Sequence, residues 1–123
     1  MMFTFASQQI MKMPAPDQPP ERVSDDSVLA SAADRGKKVK TAPFLEPAGR
    51  FASRAAVIEA FQKSRAAVVE YVKTTQDELR AHGLQTQTGY RDAYQFLMSL
   101  SAHAERHSQQ IAEVKADAGY PKK

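Results

Sequence analysis

The sequence predicts an all-helical bundle, and three observations predict it. Alanine, glutamine, lysine and glutamate, all good helix formers, are plentiful. There are only 5 glycines, and runs that alternate polar with apolar residues are almost absent, which argues against an all-β fold. Two long stretches in the C-terminal half repeat apolar residues at the helical period. A chain of 123 residues, 42% hydrophobic and 25% charged, has room for a single globular domain.

Met1 to Met13 carry apolar residues at Phe3, Ala6, Ile10 and Met13, in steps of three and four, and Pro14 stops that helix. With no N-cap ahead of it, this segment reads as the end of a longer helix. Residues 14–51 form a loop-rich connection holding Pro14, Pro16, Pro19, Pro20, Pro43 and Pro47. Inside it, Ser24 followed by Asp25 and Asp26 is a helix start, and Gly36 offers the stop, so a short helix is expected over about 25–35.

The first long core helix is expected over 53–82. Val57, Phe61, Ser64, Val68, Tyr71, Val72, Thr75 and Leu79 share a face, and Gly83 takes the place of a C-cap glycine. Leu84 to Tyr90 then reads as a connector. The second long core helix is expected over 92–116, with apolar positions at Ala93, Phe96, Leu97, Leu100, Ala104, Ile111 and Val114. A short loop joins the two, so they should pack antiparallel.

Composition excludes several kinds of chemistry. Without cysteine there are no disulfides, thiolate zinc sites or cysteine nucleophiles. The net charge of +3 is scattered over Lys37, Lys38, Lys40, Lys122 and Lys123, with no basic face interleaved with aromatics, so nucleic acid is not an expected partner. No stretch reaches the roughly 20 apolar residues of a membrane span, and the N-terminus does not read as a signal peptide. The cytoplasm is the default expectation.

The chemistry concentrates on the last helix. On a wheel of about 100° per residue, His107 falls within roughly 20–40° of the apolar centre and His103 about 40° further round. Both are expected to turn inward together. Histidines at i and i+4 share a face one turn apart, so both imidazoles can reach a single cation. Histidines bonded to neighbouring polar groups or water are the alternative. HAERH lacks the glutamate directly after the first histidine that a zincin helix needs, and Glu105 leans away from the core. His82 more simply complements a helix C-terminus. Gln110, one turn beyond His107 on the His103 side, is a candidate to orient an imidazole, although an exposed glutamine is its more ordinary reading. Ser99, Ser101 and Ser108 lack any strained turn or base, and the five methionines read as core filling.

The run DAYQFLMSLSAHAERHSQQIAEVKADAGYPK, Asp92 to Lys122, resembles the closing helix of DinB-like proteins, a family that includes the YfiT-like metalloenzymes. The runs FLEPAGRF, Phe44 to Phe51, and EYVKTTQDELRAH, Glu70 to His82, are similar to the matching parts of one branch. The resemblance covers the chain from about Pro43 onward, with the HxxxH pair followed by QI as its most specific element. It implies a four-helix bundle and a divalent metal, zinc, nickel, iron or manganese, held by three histidines, the last two matching His103 and His107. It places the first ligand on a helix upstream of Met1, so the chain is expected to be an N-terminally truncated, partial domain with an incomplete site, in which the metal can be missing.

Three functions compete on this reading. The first is a metal-dependent hydrolase or thiol S-transferase; the second is a non-catalytic helical module, metal-stabilised or metal-free. A DNA-damage-linked binding protein is the third, with no support from the charge pattern. Exposed apolar helix faces would favour a homodimer.

Overall fold

The computed structural model describes residue 9 and residues 11–13, 15–36, 43, 49 and 51–121. Among these residues the elements are α1 (Asp25–Ala33), α2 (Arg54–Thr74), β1 (Gly83–Thr86), β2 (Gly89–Asp92) and α3 (Ala93–Ala116). They fall into two compact units, one formed by Lys38–Asp77 and the other by Met2–Lys37 with Glu78–Lys123. No helix among the described residues is long and apolar enough to cross a membrane.

The first unit is built on α2. Ser53 caps its start by accepting from the Ala56 N–H at 3.2 Å. The helix closes at Thr74, well short of residue 82, because two β-branched residues in succession find other partners. Thr74 Oγ1 donates back to the Glu70 carbonyl at 2.8 Å, and Thr75 Oγ1 accepts from the Asp77 N–H at 3.1 Å. Tyr71 then donates its hydroxyl to Asp77 Oδ2 at 2.9 Å and ties the chain leaving the helix to its last turn. Along the helix Val57, Ile58, Phe61, Val69 and Val72 are exposed.

The second unit begins with a strand-like entry at Arg22 and Val23. Ser24 caps α1 through the Ser27 N–H at 3.2 Å, and Asp25 and Asp26 sit in the first turn, where the helix dipole favours acids. This helix agrees closely with the one expected from Ser24 and Gly36. Its Val28 is fully buried.

The all-α four-helix bundle is not what forms: the chain combines three helices with a two-stranded antiparallel sheet among the described residues. The segment expected to be a plain connector pairs with itself across Gln87 and Thr88. Gly83 faces Asp92, Leu84 faces Arg91, Gln85 faces Tyr90 and Thr86 faces Gly89. Threonine hydroxyls hold the turn. Thr86 Oγ1 donates to the Gly89 carbonyl at 2.6 Å, and Thr88 N–H donates to Thr86 Oγ1 at 3.2 Å. Arg22 adds a parallel bridge beside Tyr90, with Val23 N–H bonded to the Tyr90 carbonyl at 3.1 Å. That approach demands glycine at position 89, where φ is +116° and a Cβ would lie 2.6 Å from Val23 Cγ1.

The hairpin delivers the chain into α3 through a capping box. Asp92 Oδ1 accepts from Gln95 N–H at 2.7 Å, and Gln95 Oε1 accepts from Asp92 N–H at 3.2 Å. Asp25 bonds Gln95 at one end of α3, and Arg35, just past α1, pairs with Glu113 near the other. The two helices therefore run in the same direction. Their shared core is small and partly polar, with Val28, Tyr90, Ala93 and Leu100 beside buried Asp92, Gln95 and Ser99.

The helix expected over Met1 to Met13 lies outside the described residues apart from Gln9 and Met11 to Met13. About a third of the Pro-rich connection, Pro14 with 37–42, 44–48 and 50, lies outside them as well.

Candidate metal site

α3 places His103 and His107 one turn apart, as their spacing requires, and brings the rings into contact. Their centroids are 4.4 Å apart and their planes nearly perpendicular at 88°. The two Nε2 atoms approach to 2.9 Å. His107 Nδ1 in turn lies 2.7 Å from Gln110 Oε1. Gln110, whose ordinary reading was an exposed glutamine, is half-buried and bonded to the pair.

The pair is not turned into the core. His103 is half-buried and His107 is exposed, because the buried stretch of α3 ends at Leu100. Ile111, which with Leu100 brackets the apolar centre of the wheel, and Val114 are both 60% exposed. Apolar periodicity therefore continues past the point where anything in this unit covers it. The partial burial of His103 holds its pKa below 6.5, helped by the neighbouring His107 and Arg106 charges.

Beyond His107 an open groove of about 420 Å³ runs along α3, lined by Gln110, Ile111, Val114, Lys115 and Tyr120. The tail folds back to form its far wall: Asp117 Oδ1 accepts from Gly119 N–H at 2.7 Å and the Asp117 carbonyl from Tyr120 N–H at 3.0 Å.

A three-histidine metal centre is not formed. Among the described residues no group of three or more histidine, cysteine, aspartate or glutamate side chains could hold a metal ion. His82 does not cap a helix either, since α2 ends before it; its Nδ1 lies 2.8 Å from the Met13 carbonyl. What remains is a two-nitrogen bite. Metal–nitrogen bonds of about 2.0–2.1 Å hold their nitrogens about 2.9 Å apart at a right angle and about 3.3 Å apart at the tetrahedral angle. The observed 2.9 Å equals the first separation, and it is equally the length of a hydrogen bond between the two rings. Two imidazoles thus fit half a coordination sphere, with the other positions left to water, substrate or another group.

No other side chain nearby is placed for chemistry. Ser99 and Ser101 hydroxyls donate to the helix carbonyls of Phe96 and Met98 at 2.8 and 2.9 Å, and Ser108 to Ala104 at 3.1 Å. Glu105 accepts from Gln109 on the exposed side.

A second polar cluster escaped the sequence reading. Arg80 donates from Nη1 to Asp25 Oδ1 and Asp92 Oδ2 at 3.0 and 2.9 Å, and from Nη2 to Asp25 Oδ2 at 2.7 Å. Its guanidinium also stacks 4.0 Å from the Tyr94 ring centre. Gln95 Nε2 completes the cluster through the Val23 carbonyl and Asp25. Asp92 and Gln95, three apart before an apolar run, were the available signal. The cluster joins α1, the hairpin and α3, and its groups satisfy one another, which marks it as a structural joint.

Comparison with protein-family models, with curated proteins and with solved structures finds no match to this chain.

Proposed function

We propose that this chain is a DinB-like metal-binding module in which His103 and His107 supply two nitrogen ligands to a divalent cation, zinc, nickel, iron or manganese. The observation that carries this reading is the 2.9 Å approach of the two Nε2 atoms. Gln110 supports it by engaging the remaining nitrogen of His107, as partners of metal-bound imidazoles do. A bound cation supplies Lewis acidity to a water or a thiol, the chemistry of a hydrolase or a thiol S-transferase. The chain's own part is to present two imidazoles at the mouth of an apolar groove with a lysine on its rim. Turnover requires a further ligand beyond these two.

Thermal melts of the full chain with and without nickel, zinc or manganese test the reading. Stabilisation that disappears in His103→Ala and His107→Ala supports it; a wild-type melt indifferent to all three metals overturns it.

A second reading, a module without catalysis, draws on a specific observation. Gln110, His107 and His103 are linked by hydrogen bonds along one helix, contacts that need no metal to form. Metal-dependent stabilisation without turnover of esters or thiol conjugates would select it. Either reading accommodates a homodimer through the exposed Val57, Ile58, Phe61, Val69 and Val72 of α2, and sedimentation across a concentration series measures that directly.

A further inference from the structure

The bonds that hold α1 to its neighbours fall into two sets. One set fixes the chain just before the helix. Val23 N–H donates to the Tyr90 carbonyl at 3.1 Å, the Val23 carbonyl accepts from Gln95 Nε2 at 2.6 Å, and the Val23 side chain lies against Gly89. The other set grips the helix by its ends. Arg80 holds Asp25 through two bonds, at 3.0 and 2.7 Å, and Arg35 holds Glu113 through two more. These four side chains keep 32–61% of their surface in water, where ion pairs contribute little and are screened by salt.

Little apolar contact backs those pairs. Of the nine residues of α1, Val28 alone is buried, with Leu29 and Ala32 half-buried on the same face. Gln95 and Glu113, which meet the two ends, stand about five turns apart on α3, so a single line of that helix lies beneath α1. Ser99 and Ala102 fall on this line, and both are small. A nine-residue helix is marginal in water once it leaves such a seat. What stays behind needs nothing from it. The Asp92–Gln95 capping box closes on itself, and Arg80 retains its bond to Asp92.

We propose that α1 is a strap that opens as a unit, turning at Ser24 beyond the fixed Val23 and released at the Arg35–Glu113 clasp, while the hairpin and α3 stay folded. Opening breaks the bonds of Asp25 to Arg80 and Gln95 and uncovers the line of Ser99 and Ala102. The strap thus governs access to one face of α3. Its two ends differ in role: the Val23 end is an anchor, and the Arg35 end is a catch.

Amide hydrogen exchange of the full chain, followed residue by residue by NMR, measures such local opening. The amides of residues 29–33 should exchange faster than those of Val23, Ser99 and Leu100. Raising the salt from about 0.01 to 1 M cuts the screening length from about 30 to 3 Å. That change should speed the α1 amides by about 2- to 5-fold relative to the other three. Glu113→Gln, at an exposed site, should do the same at low salt. Arg35→Glu sets like charges together and should speed them further, and Arg35→Glu combined with Glu113→Arg should return them to the wild-type rate. Amides of α1 that exchange in step with Val23, Ser99 and Leu100 under every condition mark one cooperative unit and overturn the proposal. So do α1 amides indifferent to both salt and Glu113→Gln.

Discussion

Arg80 Nη1 donates to Asp92 Oδ2 at 2.9 Å, and the carboxylate that receives it has no exposure to solvent. The same Asp92 caps α3 through its other oxygen, so one side chain closes the hairpin, starts the helix and neutralises the arginine. Asp92→Ala removes the cap, a loss of about 1 kcal/mol, and takes one of two carboxylates from Arg80, which keeps its paired bonds to Asp25. Arg80 keeps a third of its side chain in water, so losing that one charge-assisted bond adds about 1–2 kcal/mol. The expected destabilisation is about 2–3 kcal/mol by urea unfolding. Asp92→Asn, which still caps, should lose distinctly less.

Asp25 shares that cluster and titrates with it. Hydrogen bonds from Arg80, then from Gln95, hold its pKa at about 2 against an ordinary 3.8. The folded chain therefore keeps this carboxylate ionised where the unfolded chain protonates it. Its contribution is fully present above about pH 4 and is lost as the pH falls toward 2. Unfolding midpoints measured across that window should fall steeply for wild type and less steeply for Asp25→Asn.

The helices were legible because their evidence is local. Ser24 with two acids marked α1, and the apolar period from Ala93 to Val114 marked α3. The hairpin was not legible, because its turn is Gln87–Thr88, without the Asn-Gly or Asp-Gly pair that announces a two-residue turn. Its stability comes instead from threonine hydroxyls and from Arg22 and Val23, some 65 residues earlier in the chain. The histidine pair was legible as a pair. Its exposure was not, since periodicity tells which residues share a face and leaves open what covers that face. Ile111 and Val114 keep the period and remain in water.

Gly89 is the point where that distant strand presses on the hairpin. An alanine there would adopt a φ of +116° and set its Cβ 2.6 Å from Val23 Cγ1. Both faults act together, and Gly89→Ala should destabilise the chain by about 1–3 kcal/mol. Gly119→Ala is the control, since its Cβ would meet only Asp117 Oδ1, at 3.1 Å, with no positive φ. Parallel chemical denaturation of the two variants checks this; equal effects would contradict the close approach.

His103 gives the metal-free chain a second acid-sensitive window, separate from that of Asp25. Its pKa lies below 6.5 through partial burial first, then through His107 and Arg106. The unfolded chain thus binds this proton more readily, so stability is highest above 6.5 and declines as the pH falls below it. Melts between pH 7.5 and 5 should show the decline in wild type and a flatter profile in His103→Gln.

Nickel titration separates the roles of the three residues on the site stripe. A ligand that binds only the folded chain stabilises it by about 2.7 kcal/mol at one hundred times its dissociation constant. Wild type should show that gain, reversed by a chelator. His107→Ala and His103→Ala should each abolish the gain, because a single imidazole is a weak site. Gln110→Ala keeps both ligands and loses only the bond at His107 Nδ1, so its gain should reappear at higher nickel. The order wild type, Gln110→Ala, then either histidine variant is the expected ranking of affinity. A Gln110→Ala variant as weak as the histidine variants would mean that the glutamine is itself a ligand, and one indistinguishable from wild type that its contact with His107 is incidental.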